Sequence, residues 1–140
     1  KTGLSLYRLI ADACGRAKIN TFDVDYINVH GTATPLGDIS ETNAIVNLFG
    51  EHAPKLNISA TKSMTGHLLG GAGAIESVFI VKALQDRLAP PTINIENLDP
   101  AVTVDVVRDT PRQLPAGDIA ALNDSFGFGG HNVVLAFKSL

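Results

Sequence analysis

A chain of 140 residues with 45% hydrophobic and 18% charged side chains has the length and composition of one globular domain around a single core, which excludes a disordered chain. Its formal net charge of -3, with acids and bases intermixed and no run of Lys or Arg, excludes the electrostatic footprint of a nucleic-acid or anionic-membrane binder. No apolar stretch is long enough to span a bilayer, the first residues lack a secretory cleavage site, and the single cysteine, Cys14, cannot pair within the chain, so a cytoplasmic setting is expected.

The sequence opens at Lys1 inside a helical pattern rather than at a methionine, so the natural start is expected to lie elsewhere. Leu4 to Ala17 predicts a helix with Tyr7, Ile10, Ala11 and Cys14 on one core-facing stripe. "VDYINVH" (24 to 30) is β-branched and aromatic, as a strand ending at His30 should be. After the loop "GTATPLG", Asp38 stands three residues before Glu41, the spacing of a capping-box start, and Gly50 predicts the helix end. "LNISA" (56 to 60) is a short strand, and "AIESVFIVKALQD" (74 to 86) is apolar on nearly all sides, which predicts a largely buried helix. Beyond the proline loop "APPTIN" come three strand candidates, "VTVDVV", "DIAALNDS" and "NVVLAFKS", the last two flanking "FGFGG". One domain over 1–140 is expected, an α/β fold with a layered sheet covered by helices.

Residues able to do chemistry fall in three loops, each just beyond a strand: His30 with Thr32 and Thr34, Lys62 with His67, and the segment from Phe126 to Asn132. In open α/β sheets such loops converge on one crevice, and convergence is expected here. A histidine at a strand end can equally serve a nearby carbonyl, and a lysine can be a solvated surface residue; both alternatives stand for His30, His67 and Lys62. Two neutral imidazoles aimed at one carbonyl would instead donate two hydrogen bonds to a developing oxyanion. Lys62 would then act on substrate or orient His67. A Walker phosphate loop needs its glycines before Lys-Ser, whereas here "KS" precedes "GHLLGGAG". A metal site from the four histidines lacks ligand spacing, and Cys14 on a core face is a poor nucleophile, so no metal is expected.

The segments "NVHGTATPLGD", "TKSMTGHLLGGAGAIES", "PPTIN" and "NDSFGFGGHN" together resemble the C-terminal part of β-ketoacyl-acyl carrier protein synthases, the elongating condensing enzymes of dissociated fatty-acid synthesis. The resemblance runs from Val24 to the end. It implies a thiolase-like fold of two related α/β halves, of which this chain would be the C-terminal one, and a homodimer. It also implies a cytoplasmic enzyme that needs no cofactor and works with acyl carrier protein bearing phosphopantetheine-linked acyl and malonyl groups.

By the resemblance, His30 and His67 are the two histidines that bind the malonyl thioester carbonyl and promote decarboxylation, and Lys62 organises the site around His67. Thr32 and Thr34 contact the phosphopantetheine arm. Phe128 gates the acyl pocket and lends its backbone N–H to the oxyanion hole, on a loop freed by Gly127, Gly129 and Gly130. Asn28, Glu76 and Asn132 match positions near a buried cation of some members; an internal hydrogen-bond network is the alternative. His131 stands where threonine is common. Nothing corresponds to the family's nucleophilic cysteine, which belongs to the N-terminal half, and the strand expected before the first helix is lacking. The chain alone is therefore expected to be inactive and to associate. Alternatives are a non-catalytic subunit resembling a chain-length factor and a polyketide ketosynthase.

Overall fold

The computed structural model describes residues 3–140. A four-stranded sheet in the order β2-β1-β5-β6 forms its centre, from β1 (Val24–Asn28), β2 (Asn57–Ser59), β5 (Ala120–Phe126) and β6 (Asn132–Lys138). β1 pairs parallel with β2 and with β5, while β6 returns antiparallel on β5, and β3 (Leu88–Ala89) pairs antiparallel with β4 (Arg112–Gln113) in a separate small sheet. The expected mixed sheet under helices is what forms. Helices α1 (Leu4–Ala17) and α2 (Pro35–Phe49) cover one face; α4 (Ala72–Asp86) covers the other, with the short α3 (Lys62–Thr65) between β2 and α4. Among the described residues no helix is long and apolar enough to cross a membrane.

Strand alternation sends neighbours into two cores. Ile27 and Leu122 pack with Ile10, Cys14 and Ile45 on the α1/α2 side, whereas Tyr26 and Ala121 pack with Ile80, Ala83 and Leu84 on the α4 side. The Tyr26 hydroxyl meets Ser59 Oγ at 2.8 Å, so this buried polar tip is satisfied. Helix α1 has the predicted bounds and buries Ile10 and Cys14, with Tyr7 and Ala11 half-buried beside them. It stops at Lys18, in the left-handed region, where Ile19 N–H returns to the Cys14 carbonyl.

Three expectations needed correction. Helix α2 starts at Pro35, with Thr34 as its cap, and not at Asp38; proline at the first helical position sets φ and loses no hydrogen bond. Glu41 therefore lies in the second turn, with its carboxylate turned to the loop after β1. "VTVDVV" forms no regular strand but one isolated bridge, Val106 with Ile58, and the residue after it, Arg108, bridges Thr92. The reason is its neighbour: β2 is three residues long, so its free edge offers little beyond the Ile58 carbonyl, which accepts from Val107 N–H at 2.8 Å. The segment instead wraps the sheet edge, Val104 entering one core and Val107 the other. Finally, α4 is not buried all round: Val78 and Val81 are 58% and 41% exposed, while Glu76, read as one of its polar exceptions, is buried.

Asp124 of β5 is fully buried, and neither carboxylate oxygen has a hydrogen-bond partner. Burial, then the nearby Glu41 carboxylate, pushes its acid well above the ordinary value, so it is held protonated. Because the unfolded chain releases that proton near pH 4, the penalty is absent below this and grows as the pH rises above it. Asp124→Asn should thus match the parent in denaturant midpoint near pH 4 and exceed it increasingly toward neutrality; a variant less stable at pH 7 would contradict this assignment.

Candidate active site

Parallel pairing of β1 with β2 and β5 brings their carboxyl ends to one edge of the sheet. There the three expected loops do converge. The His30 and His67 ring centres lie 5.5 Å apart, edge to face at 85°, and His30 also packs on Phe126 at 5.4 Å. Both imidazoles line a cavity of about 780 Å³ shared with Thr32, Thr34, Gly127 and Phe128. A second cavity of about 860 Å³ lies against Lys62, His67, Thr32 and Thr34 and is walled by residues 93–99.

His30 is held by its backbone. Its N–H and that of Gly31 donate to the two oxygens of Glu41 at 2.8 and 3.1 Å. Burial pushes the Glu41 carboxyl up to about 7, and the two donated hydrogen bonds pull against that rise. Gly31 sits at φ +44°, and a Cβ there would come within 2.6 Å of Ala60 Cβ, so the loop touches the end of β2 only because this residue has no side chain. The Thr32 and Thr34 hydroxyls meet at 3.3 Å.

Lys62 is no solvated lysine. It is buried, and its Nζ lies 2.5 Å from Glu76 Oε1 of α4. It bonds Glu76 rather than His67, so its influence on the imidazoles is through charge. Burial, then Lys62, then His67 depress the His30 pKa to about 4, which keeps the ring neutral at physiological pH. His67 follows Gly66, the C-cap of α3, and its Nδ1 accepts the Leu69 N–H at 3.0 Å. A neutral His67 must therefore carry its proton on Nε2, free to donate.

Phe128 is 93% exposed at the cavity rim. Its loop is closed by Gly127 N–H to the His131 carbonyl at 2.9 Å, with Gly129 at φ +73°. Asn28 is spent on a network: it donates to Asn123 at 3.1 Å and accepts from Thr61 N–H and hydroxyl at 3.3 and 3.1 Å. Glu76 is engaged by Lys62, and Asn132 opens β6 opposite Phe126. Of the buried side-chain oxygens of Asn28 and Glu76, only Glu76 Oε2 lacks a hydrogen-bond partner. Sequence reasoning named Phe126 only as the start of the third loop and read Glu41 only as a capping-box partner. An acid among the core-facing residues Thr42, Ala44 and Ile45 was the one available signal for Glu41.

A family model described as beta-ketoacyl synthase, C-terminal domain, matches residues 1–96. The 3-oxoacyl-(acyl-carrier-protein) synthase 2 of Synechocystis sp. is 50% identical over 136 residues, 97% of this chain and 32% of that protein. The protein of the same name from Staphylococcus aureus is 47% identical over 132 residues, 94% and 31% respectively. Among solved structures, a type II polyketide ketosynthase bound to a hexaketide, in complex with its acyl carrier protein, matches with a TM-score of 0.93 at 36% identity, covering 99% of this chain and 33% of that one. A β-ketoacyl synthase from Burkholderia phymatum matches with a TM-score of 0.89 at 33% identity, covering 99% and 33%. The chain thus spans about a third of the length of the curated relatives it matches.

The neutrality of His30 has a direct readout. Its imidazole resonances should titrate with a midpoint near 4, and Lys62→Met should move that midpoint upward. A midpoint at the ordinary histidine value of about 6.5 would contradict the charge argument.

Proposed function

The chain belongs to the β-ketoacyl synthase family through its C-terminal domain, and from that premise we propose that it supplies the two-histidine part of a 3-oxoacyl-(acyl-carrier-protein) synthase. Its fold is the thiolase-like α/β fold of the solved ketosynthases. The proposed reaction is acyl transfer by decarboxylating Claisen condensation: a malonyl group on acyl carrier protein lengthens an acyl group held on the enzyme. The observation that carries this reading is the pair of imidazoles facing one cavity, one kept neutral and the other with its Nε2 proton free.

In this reading the malonyl thioester carbonyl lies between His30 and His67. As carbon dioxide departs, the electron pair of the broken bond passes to the α-carbon and the thioester oxygen. Two donors fixed beforehand stabilise that oxygen without having to reorganise. The enolate carbon then attacks the acyl thioester carbonyl, and the nucleophile's thiolate leaves. Cys14 is unsuited to be that nucleophile, being buried, with a thiol pushed upward by burial and by Asp124. The thiolate therefore comes from a complementary half. Thr32 and Thr34, at the wall common to both cavities, receive the phosphopantetheine arm, and Phe128 with its glycine-bearing loop gates the acyl side.

Leu69, Phe128, Val133 and Leu135 are all exposed around the same cavity, an apolar wall suited to a second half of the enzyme. The working enzyme is then a cytoplasmic homodimer of two-half subunits. A polyketide ketosynthase is the competing reading, but the 47–50% identity to fatty-acid synthases exceeds the 36% to a polyketide enzyme. Retention of both histidines disfavours a non-catalytic, chain-length-factor-like role.

Incubated alone with acyl- and malonyl-carrier proteins, the chain should give no ketoacyl product and should scatter light as an associated species. A chimera in which it replaces the segment it aligns with in the Synechocystis relative should turn over, and His30→Ala or His67→Ala should cost about 100- to 1000-fold. Appreciable turnover by the chain alone, a clean monomer, or a His67→Ala chimera near full rate would each argue against the proposal.

A further inference from the structure

The second cavity has a wall that the reaction chemistry does not explain. Residues 93–99 form a strap over Lys62 and His67, facing the Thr32 and Thr34 loop. Two hydroxyls fasten it. Thr92, buried at the strap's root, accepts the Ala60 N–H on Oγ1 at 2.9 Å, while its own N–H goes to the Val107 carbonyl at 2.7 Å and its carbonyl takes the Asp109 N–H at 3.1 Å. Ser63, in the first turn of α3, donates from Oγ to the Ala60 carbonyl at 2.8 Å and accepts the Ile93 N–H at 3.0 Å. Both peptide groups of Ala60 are thus taken, one by each hydroxyl. Asn94 completes the fastening: at φ +63° it turns the strap, and its Nδ2 donates to the Ser63 carbonyl at 3.3 Å.

We propose that Ser63 and Thr92 are positioning residues that staple the strap to the turn bearing Lys62, and so fix the width of the channel by which the thioester arm reaches His67. The inference rests on the function proposed above, which brings the arm to the Thr32 and Thr34 wall that this cavity shares with the first. Neither hydroxyl is aimed at the reacting carbonyl: Ser63 Oγ is spent on Ala60 and Ile93, and Thr92 Oγ1 on Ala60. Their contribution should accordingly fall on binding and leave the chemical step to the imidazoles. Ala60 is also the residue that Gly31 touches, so the staple, the His30 loop and the Lys62 turn meet at one point.

The test uses the active chimera. Ser63→Ala should raise KM for the malonyl carrier substrate and weaken pantetheine binding, each about fivefold, the worth of one net hydrogen bond, with kcat changing less than KM. Hydrogen exchange of the Ile93 amide should quicken in Ser63→Ala and return to the parent rate in Ser63→Thr, which keeps a hydroxyl. Thr92→Val should reproduce the KM change while quickening the Ala60 amide instead. Unchanged Ile93 exchange in Ser63→Ala, or a fall in kcat with KM and pantetheine binding unmoved, would overturn the staple. Loss of turnover in the unsubstituted chimera would strike the proposed function, and Ile93 exchange with pantetheine binding would still decide the staple.

Discussion

Three strands that run the same way impose the site. β1, β2 and β5 end at one edge of the sheet, so His30, the Lys62 turn and Phe126 emerge together although up to 96 positions separate them in sequence, from 30 to 126. The register leaves little freedom: Asn28 faces Ser59 on one side and Asn123 on the other. Asn28 then locks that row through its side chain, to Thr61 and to Asn123. A slip of one residue would turn His30 to the opposite face and put Asn28 among aliphatic side chains.

Charge is distributed around this edge so that the His30 ring stays uncharged. Lys62 is buried but balanced by Glu76, and its cation discourages protonation of His30. On the far side of the sheet, Glu41 and Asp124 form a pocket of acids with raised pKa values. Glu41 has a use there: its two oxygens satisfy the N–H groups that the strand end leaves unpaired. A buried carboxylate is costly, and here the cost is tolerated at the residue that anchors one imidazole.

Much of this was legible in the sequence, for physical reasons that differ by element. Helix α1 and strand β6 were readable because their apolar spacing follows one period and one inner face, and β1 and β5 because their apolar runs suit strands covered on both faces. His30 and His67 were readable because each stands at a strand or turn end beside glycine. Glu41 was hidden: spacing alone made it a helix cap, and only the strand end folding back over α2 shows what its oxygens serve. "VTVDVV" misled because valines that wrap an edge into two cores alternate much as valines in a ladder do. The apolar outer stripe of α4 misled in the other direction, since hydropathy reports what a helix could bury and not what stands opposite it.

Gly31 sets a clearance between two strand ends. Since a methyl group at this position would press into Ala60, its hydrogen acts as a gauge block between two strand ends. Any larger residue would wedge β2 outward and carry α3 with it, widening the gap across which the two rings face each other. The pairing of the imidazoles is therefore set less by the histidines themselves than by an atom that is not there, and the spacing of the two rings is tuned by backbone clearance.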